Sequence, residues 1–345
     1  MALQLELGLD TFGDVTFGED GEPLPAAQVI RNVLEEGMLA DRLGVDFFGV
    51  GEHHRADYAI SAPEIVLAAL AARTERIQLG TAVTVLSSDD PVRVFERFAT
   101  LDAISNGRAE IILGRGSFTE SFPLFGYDLA KYEVLFEEKI ELLAQLLTEK
   151  PVTWSGTTRP GLTDQEVYPK TESGSIRTWV GVGGSPESVV RAARYGLPLV
   201  LAIIGGEPER FAPYVELFHR ALAQYGKDEL PVAVHSPGYI AETDQQALDE
   251  LWPHYEIMHN RIGAERGWGP TTRDRFEHEA QHGALYAGSP ETVAQKIAST
   301  VRALGIQRFD LKYSSGTQPH EQLMSGIELY GSVVIPRVRE LLAED

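Results

Sequence analysis

Four short stretches of the 345-residue chain combine residue types that can do chemistry. In Phe47-Phe48-Gly49-Val50-Gly51-Glu52-His53-His54, an apolar run ends in an acid and two histidines. A buried strand of this kind delivers its titratable end to the rim of a sheet. There His53 or His54 can exchange protons near neutral pH, and Glu52 can orient an imidazole. The competing reading is a structural, hydrogen-bonded histidine. Gly114-Arg115-Gly116-Ser117 sets a guanidinium between glycines, which let a backbone approach a ligand while the arginine bonds a phosphate. Alone, the tetrad reads equally well as a structural ion pair. In Gly181-Val182-Gly183-Gly184-Ser185-Pro186-Glu187-Ser188, Ser185 is an N-cap and Pro186 the first helical residue. The N–H groups about Gly183 and Gly184, with the Ser185 and Ser188 hydroxyls, form an anion socket. Pro186 stands where a dinucleotide fingerprint needs glycine. Gly288-Ser289-Pro290-Glu291-Thr292-Val293 echoes this string, so it can also be only a good helix start.

The fourth stretch is His278-Glu279-Ala280-Gln281-His282, which matches the H-E-x-x-H pattern of zinc metalloproteases. On a helix it would place His278 and His282 on one face with Glu279 as base, making a zinc hydrolase the alternative from another class. Gly283 follows at once and the apolar face is thin, so the expectation here is no metal site.

The whole chain narrows these chemistries. Thirty basic and fifty-one acidic residues give a net charge of −21, which repels nucleic acid and anionic membranes at long range. An anionic ligand therefore needs a locally built site. The absence of cysteine removes disulfides, thiolate metal sites and thiol nucleophiles. The first residues lack the basic and apolar regions of a signal peptide, and no apolar stretch reaches the roughly 18 residues of a membrane span. The default expectation is a cytoplasmic protein.

The elements that must position these residues alternate. Leu3, Leu5, Leu7 and Leu9 mark a first strand by their period of two, and Val29 to Leu43 mark a helix stopped by Gly44. Further strands are expected at 46–50, 77–85, 109–113, 178–182, 199–203, 232–240 and 309–311, with helices between them and a closing helix through Leu323 and Val334. Eight strands alternating with helices predict a (β/α)8 TIM barrel, an α/β fold, as one domain over 1–345. Two insertions are expected. One at 150–176, after the fourth helix, has short strands at Val152-Thr153-Trp154 and Val167-Tyr168; the other, between strands seven and eight, contains a mobile lid at 263–283.

With these motifs in place, the chain resembles the bacterial-luciferase-like flavin monooxygenases. The likeness is densest in Gly51-Glu52-His53-His54, Leu79-Gly80-Thr81-Ala82-Val83, Pro91-Val92-Arg93, Leu101 to Arg108 and Gly114-Arg115-Gly116, and resumes at Val182 to Ser188 and Tyr195-Gly196-Leu197-Pro198. The resemblance implies a barrel that binds FMN, reduced by NAD(P)H directly or by a partner flavin reductase, and that uses O2 on a small organic substrate. It assigns catalysis to His53, with Glu52 or His54 setting its tautomer, and a non-proline cis peptide to Ala82-Val83 under the flavin ring. Gly114, Arg115, Gly184, Ser185 and Ser188 become cofactor contacts. A homodimer is also implied. Gly114 and Gly184 replace the cysteine and glutamate of bacterial luciferase, so light emission is not implied. Within the same superfamily, a deazaflavin-dependent hydride-transfer enzyme is the alternative.

Overall fold

A computed structural model describes residues 5–18 and 20–343. Eight parallel strands close into a barrel: β1 Glu6–Thr11, β2 Phe47–Val50, β3 Gln78–Thr81, β4 Ala109–Gly114, β5 Arg177–Val182, β6 Leu199–Ala202, β7 Val232–Ile240 and β8 Arg308–Lys312. Each strand pairs with the next, and β8 returns to β1 from Glu6↔Arg308 to Asp10↔Lys312, closing the ring. Leu3, assigned to the first strand from its spacing, lies outside the described residues.

Alternation along the strands makes two cores. Residues such as Leu7, Leu9, Phe48, Val50, Ile111 and Leu113 point outward and are sealed under the helices. Phe47, Ile112, Trp179, Val200 and Ala233 point inward and pack together inside the barrel. At its floor lies Arg308, fully buried, with its guanidinium 3.5 Å over the Phe47 ring. It donates to Glu110 Oε1 and to Asp310 Oδ1, each at 2.8 Å, and Trp179 Nε1 donates to Glu110 Oε2 at 2.8 Å. Removing one partner from such a network would strand a buried charge, which costs several kcal/mol, about 3–5. Burial pushes the Asp310 carboxyl up to about 6 even beside Arg308.

The helices begin and end where local chemistry says they should. The helix Ala26–Leu43 stops at Gly44, whose φ of 78° is the left-handed cap that glycine adopts cheaply. The helix Pro91–Ser105 starts with Asp90, whose carboxylate accepts from the Val92 and Arg93 N–H groups. Among the described residues, no helix is long and apolar enough to cross a membrane.

Two expectations need correction, and one element is new. The third strand is not continuous over 77–85: β3 ends at Thr81, and Thr84–Val85 forms a separate short pairing with β4, the break being the cis peptide Ala82-Val83. In the insertion, Val152–Trp154 pairs with Leu162–Gln165 and not with Val167-Tyr168. Tyr168 precedes cis Pro169, which has no N–H to give a ladder, whereas Leu162–Gln165 lies largely exposed and so left no apolar signal. A short strand, Tyr286–Gly288, pairs with the end of β7 and was not expected.

Candidate active site at the carboxyl end of the barrel

Solvent enters the barrel from one end. Val83, Gly181, Ala202 and His235, all on its inner side, are partly exposed, while their outward neighbours Thr84, Val182, Leu201 and Val234 are buried. This mouth lies outside the carboxyl ends of the strands, where (β/α)8 barrels carry their chemistry.

His53 sits at the mouth just beyond β2. Its ring stacks on Tyr58 at 4.4 Å and meets Phe12 and Phe118 edge-on at 4.7 and 5.3 Å. Neither ring nitrogen hydrogen-bonds any described residue, and neither is sealed from solvent. Burial in this aromatic box lowers the imidazole to about 4 against the opposing charge of Asp14, so His53 is neutral at neutral pH. Gly49 of β2 and Gly51 just after it make the crowding possible. A Cβ on Gly49 would lie 2.9 Å from the Asp10 Cβ, and one on Gly51 would lie 2.5 Å from the Phe12 ring.

The expectation that Glu52 or His54 sets the His53 tautomer is corrected. Glu52 Oε1 meets His54 Nε2 at 3.0 Å, while Oε2 accepts the Val85 N–H at 2.9 Å. Glu52 thus ties the loop after β2 to the short strand that follows the cis peptide, because its two oxygens are already committed. His54 packs edge-on against Phe125 at 5.1 Å. Of the two histidines, His53 alone has both ring nitrogens without a hydrogen-bond partner among the described residues.

Ala82-Val83 is a non-proline cis peptide, as the sequence resemblance implied. Gly114 is explained by it: a Cβ there would come within 2.3 Å of Val83 Cγ2. Gly114 therefore makes room for Val83, so its place in the site is one of packing.

Around the turn after β5, the Gly183, Gly184 and Ser185 N–H groups donate to no acceptor among the described residues. Gly184 has φ 108°, a region that glycine tolerates, and its carbonyl accepts from Tyr214 Oη at 2.8 Å. Ser185 caps the helix Pro186–Tyr195 through the Ser188 N–H, and its hydroxyl donates to Glu187 at 2.8 Å. Arg115 lies over the Tyr132 ring at 5.3 Å and pairs with Glu133. The sequence reasoning missed Arg191. It donates to Ser188 Oγ at 3.3 Å and to the other Glu133 oxygen at 3.2 Å, while its Nε is held by Glu137 at 2.7 Å. Its position three residues after Ser188, on the same helix face, was the available signal. Two guanidiniums, free N–H groups and two glycines with open space beside Gly183 make a socket that fits a phosphate monoester. Glu133, shared by both arginines and largely exposed, is the anion already at hand.

The stretch 263–283 is mostly helical: the end of the helix Asp244–Arg266, a connection, and the helix Arg273–His282. It is fastened to the mouth. Arg55, just after the histidines, forms a two-pronged pair with Glu265 at 2.6 and 2.8 Å and also binds Asp57 and Glu120. Arg266 donates to the Ser117 carbonyl at 3.3 Å and lies over the Phe118 ring. His278 and His282 do share a helix face, with ring centroids 5.0 Å apart. Among the described residues, however, no group of three metal-ligating side chains forms. Glu279, the base in the hydrolase reading, instead accepts from the Gly206 N–H at 3.1 Å.

Comparison with known proteins bears on this geometry. The model of the family described as luciferase-like monooxygenase matches residues 11–308. A 4-hydroxyprotoasukamycin monooxygenase from Streptomyces nodosus subsp. asukaensis is 30% identical over 265 residues, covering 73% of this chain and 69% of that protein. The crystal structure of monooxygenase RslO1 from Streptomyces bottropensis superposes with a TM-score of 0.82 at 25% identity, covering 96% and 99% of the two chains. The oxygenating constituent of a 3,6-diketocamphane monooxygenase from Pseudomonas putida, solved with FMN, shares the fold with a TM-score of 0.75 at 18% identity over 97% and 99%.

Proposed function

Because the chain belongs to the luciferase-like monooxygenase family, we propose that it is an FMN-dependent monooxygenase that acts with O2 on a small organic substrate. The observation that carries the reading is the two-arginine socket on the same barrel face as the cis segment and His53. Arg115, Arg191 and the N–H groups of Gly183 to Ser185 hold the phosphate, so the cofactor's charge is met locally in a protein of net charge −21. Val83, partly exposed at the mouth, supports the ring. When bound, the reduced flavin supplies the electrons that activate O2.

His53, neutral and with open nitrogens, accepts or donates a proton near the ring. Phe12, Tyr58 and Phe118 keep water from that proton, and the segment fastened by Arg55 and Arg266 covers the same side. Electrons arrive from NAD(P)H or through a separate reductase.

The test is titration of the purified protein with FMN, followed by its visible spectrum, in competition with a deazaflavin. Binding of FMN and O2 uptake that yields an oxygenated product are expected. Failure to bind FMN in either redox state would sink the reading, and preference for the deazaflavin would move the chain to hydride transfer. Uptake of O2 without an oxygenated product would make it an oxidase.

A further inference from the structure

Across the mouth from the phosphate socket, the inner faces of β1, β7 and β8 carry a polar group that the proposed flavin reading leaves unused. Asp10, on β1, is 1% exposed. Its Oδ2 meets His235 Nδ1 at 2.8 Å, while its Oδ1 is buried with no hydrogen-bond partner among the described residues. His235, on β7, has a side chain 13% exposed and lies parallel to the Phe12 ring, 6.0 Å away at 14°. That is the same ring His53 meets edge-on at 4.7 Å. Two imidazoles thus flank one phenyl ring.

The far side of His235 is open. Its Nε2 bonds no described residue and is not sealed from solvent, and its register partner on β6 is the partly exposed Ala202. The charged neighbours do not satisfy Asp10. Lys312 directs its ammonium to Asp14 and Ser314, and Asp310 is taken by Arg308. The Asp10 carboxylate thus keeps one buried oxygen idle. A carboxylate behind Nδ1 with Nε2 left open is the arrangement that turns an imidazole into a directed base. Burial lowers this imidazole, but Asp10 and then Asp310 outweigh burial and Lys312, so its proton affinity is raised. His53 is shifted the opposite way.

We infer that His235, oriented by Asp10, binds the hydroxyl of the substrate and takes its proton, so that the substrate is a small molecule bearing a phenolic or enolic hydroxyl. The inference rests on reading the mouth as the monooxygenase site. The O–H proton passes to Nε2, leaving an oxyanion paired with an imidazolium whose Nδ1–H stays on Asp10. The deprotonated ring or enolate is the more electron-rich partner for an electrophilic oxygen. His235 is then a substrate-binding base and Asp10 its positioning residue, while His53, neutral, serves the cofactor side.

The test uses 4-nitrophenol, whose phenolate is yellow and whose phenol is not, with flavin-free protein at neutral pH, where part of the free probe is still protonated, and reads the gain in colour over free probe at the same pH. Wild type should bind it and turn it yellow. His235→Asn keeps a donor for Asp10 but removes the Nε2 end, and should lose about tenfold or more in affinity and the colour. Asp10→Asn should retain binding with less ionised probe, and an NMR titration should find the His235 ring protonating at lower pH. FMN affinity, measured separately, should be unchanged in both variants and reports their folding. No binding by wild type, or equal affinity and colour in His235→Asn, overturns the inference. Lack of FMN binding in wild type overturns the flavin reading instead, and leaves the probe result legible.

Discussion

Gly184-Ser185-Pro186-Glu187-Ser188-Val189 and Gly288-Ser289-Pro290-Glu291-Thr292-Val293 both start a helix, and locally they fold alike. Each serine caps through the N–H three residues on, each proline takes the first helical position, and each valine is buried. Their surroundings have opposite charge. At the second turn the Ser289 N–H donates to Asp244 Oδ1 at 2.6 Å, so a carboxylate of the protein fills the anion position. At the first turn the Ser185 N–H has no acceptor among the described residues; Glu187 is held by the Ser185 hydroxyl instead, and Arg191, which reaches Ser188, is bridged to Arg115 by Glu133. The serine-proline string specifies a helix start and a row of free N–H groups. Whether that row is closed by the chain's own acid or kept for a ligand depends on residues brought from elsewhere.

The largest effect should come from removing the cations of the first turn. Replacing Arg115 and Arg191 together by Ala should weaken FMN binding about a hundredfold or more, since hydrogen bonds to charged groups are worth about 1.5–3 kcal/mol each. Affinity for riboflavin, which lacks the phosphate, should hardly change. Equal losses for both flavins, read by fluorescence quenching, would break the contrast between the turns.

Next in size is the second turn. Asp244→Ala should cost about 1 kcal/mol of stability by chemical denaturation, through loss of a charge-assisted contact at a helix start, and leave FMN affinity untouched. The Ser289 N–H holds the Asp244 carboxyl below the usual carboxylate range. A depressed folded pKa means that the contribution is full above about pH 4 and fades as pH falls further. Wild type and variant should therefore converge in acid. A cofactor defect in Asp244→Ala would show that both turns serve the ligand.

The smallest effect sharpens the comparison. Glu133→Gln frees both guanidiniums from an exposed carboxylate and should raise FMN affinity about two- to threefold, the scale of a surface ion pair. A fall in affinity would mean that Glu133 positions the arginines more than it competes with the phosphate.

One pH effect belongs to the histidines. His53 is lowered to about 4 by burial, so between the ordinary imidazole value and 4 the unfolded chain binds the extra proton. Stability should rise with pH across that window, by up to about 3 kcal/mol. In His53→Phe, which suits the aromatic box, that slope should flatten.

The order of strands, the caps and most of the mouth were legible because they are local. Gly44, Asp90, Ser185 and Pro186 act on residues within one helical turn, and the histidines follow β2 directly in the chain. The misreadings share a different cause. The pair Val167-Tyr168 looked like a strand, but cis Pro169 and the partner actually chosen by Val152–Trp154 decided otherwise. Glu52 looked like a partner for His53, yet the Val85 N–H and His54 claimed it.

By itself the sequence determined a barrel of eight strands, a mouth bearing His53, and a helix start at Ser185, since periodicity, capping and strand ends depend on neighbours a few residues apart. It did not determine that Arg308, Asp310 and Lys312 of β8 face inward. Their alternation with Phe309 and Leu311 reads equally well as a strand with one wet face. Closure of β8 on β1 put that polar face inside the barrel. Closure also set Arg308 against Glu110, Lys312 against Asp14 and Asp10 against His235, 225 residues apart. In the interior these charges need partners, and only the tertiary structure says which are met and which oxygen is left open.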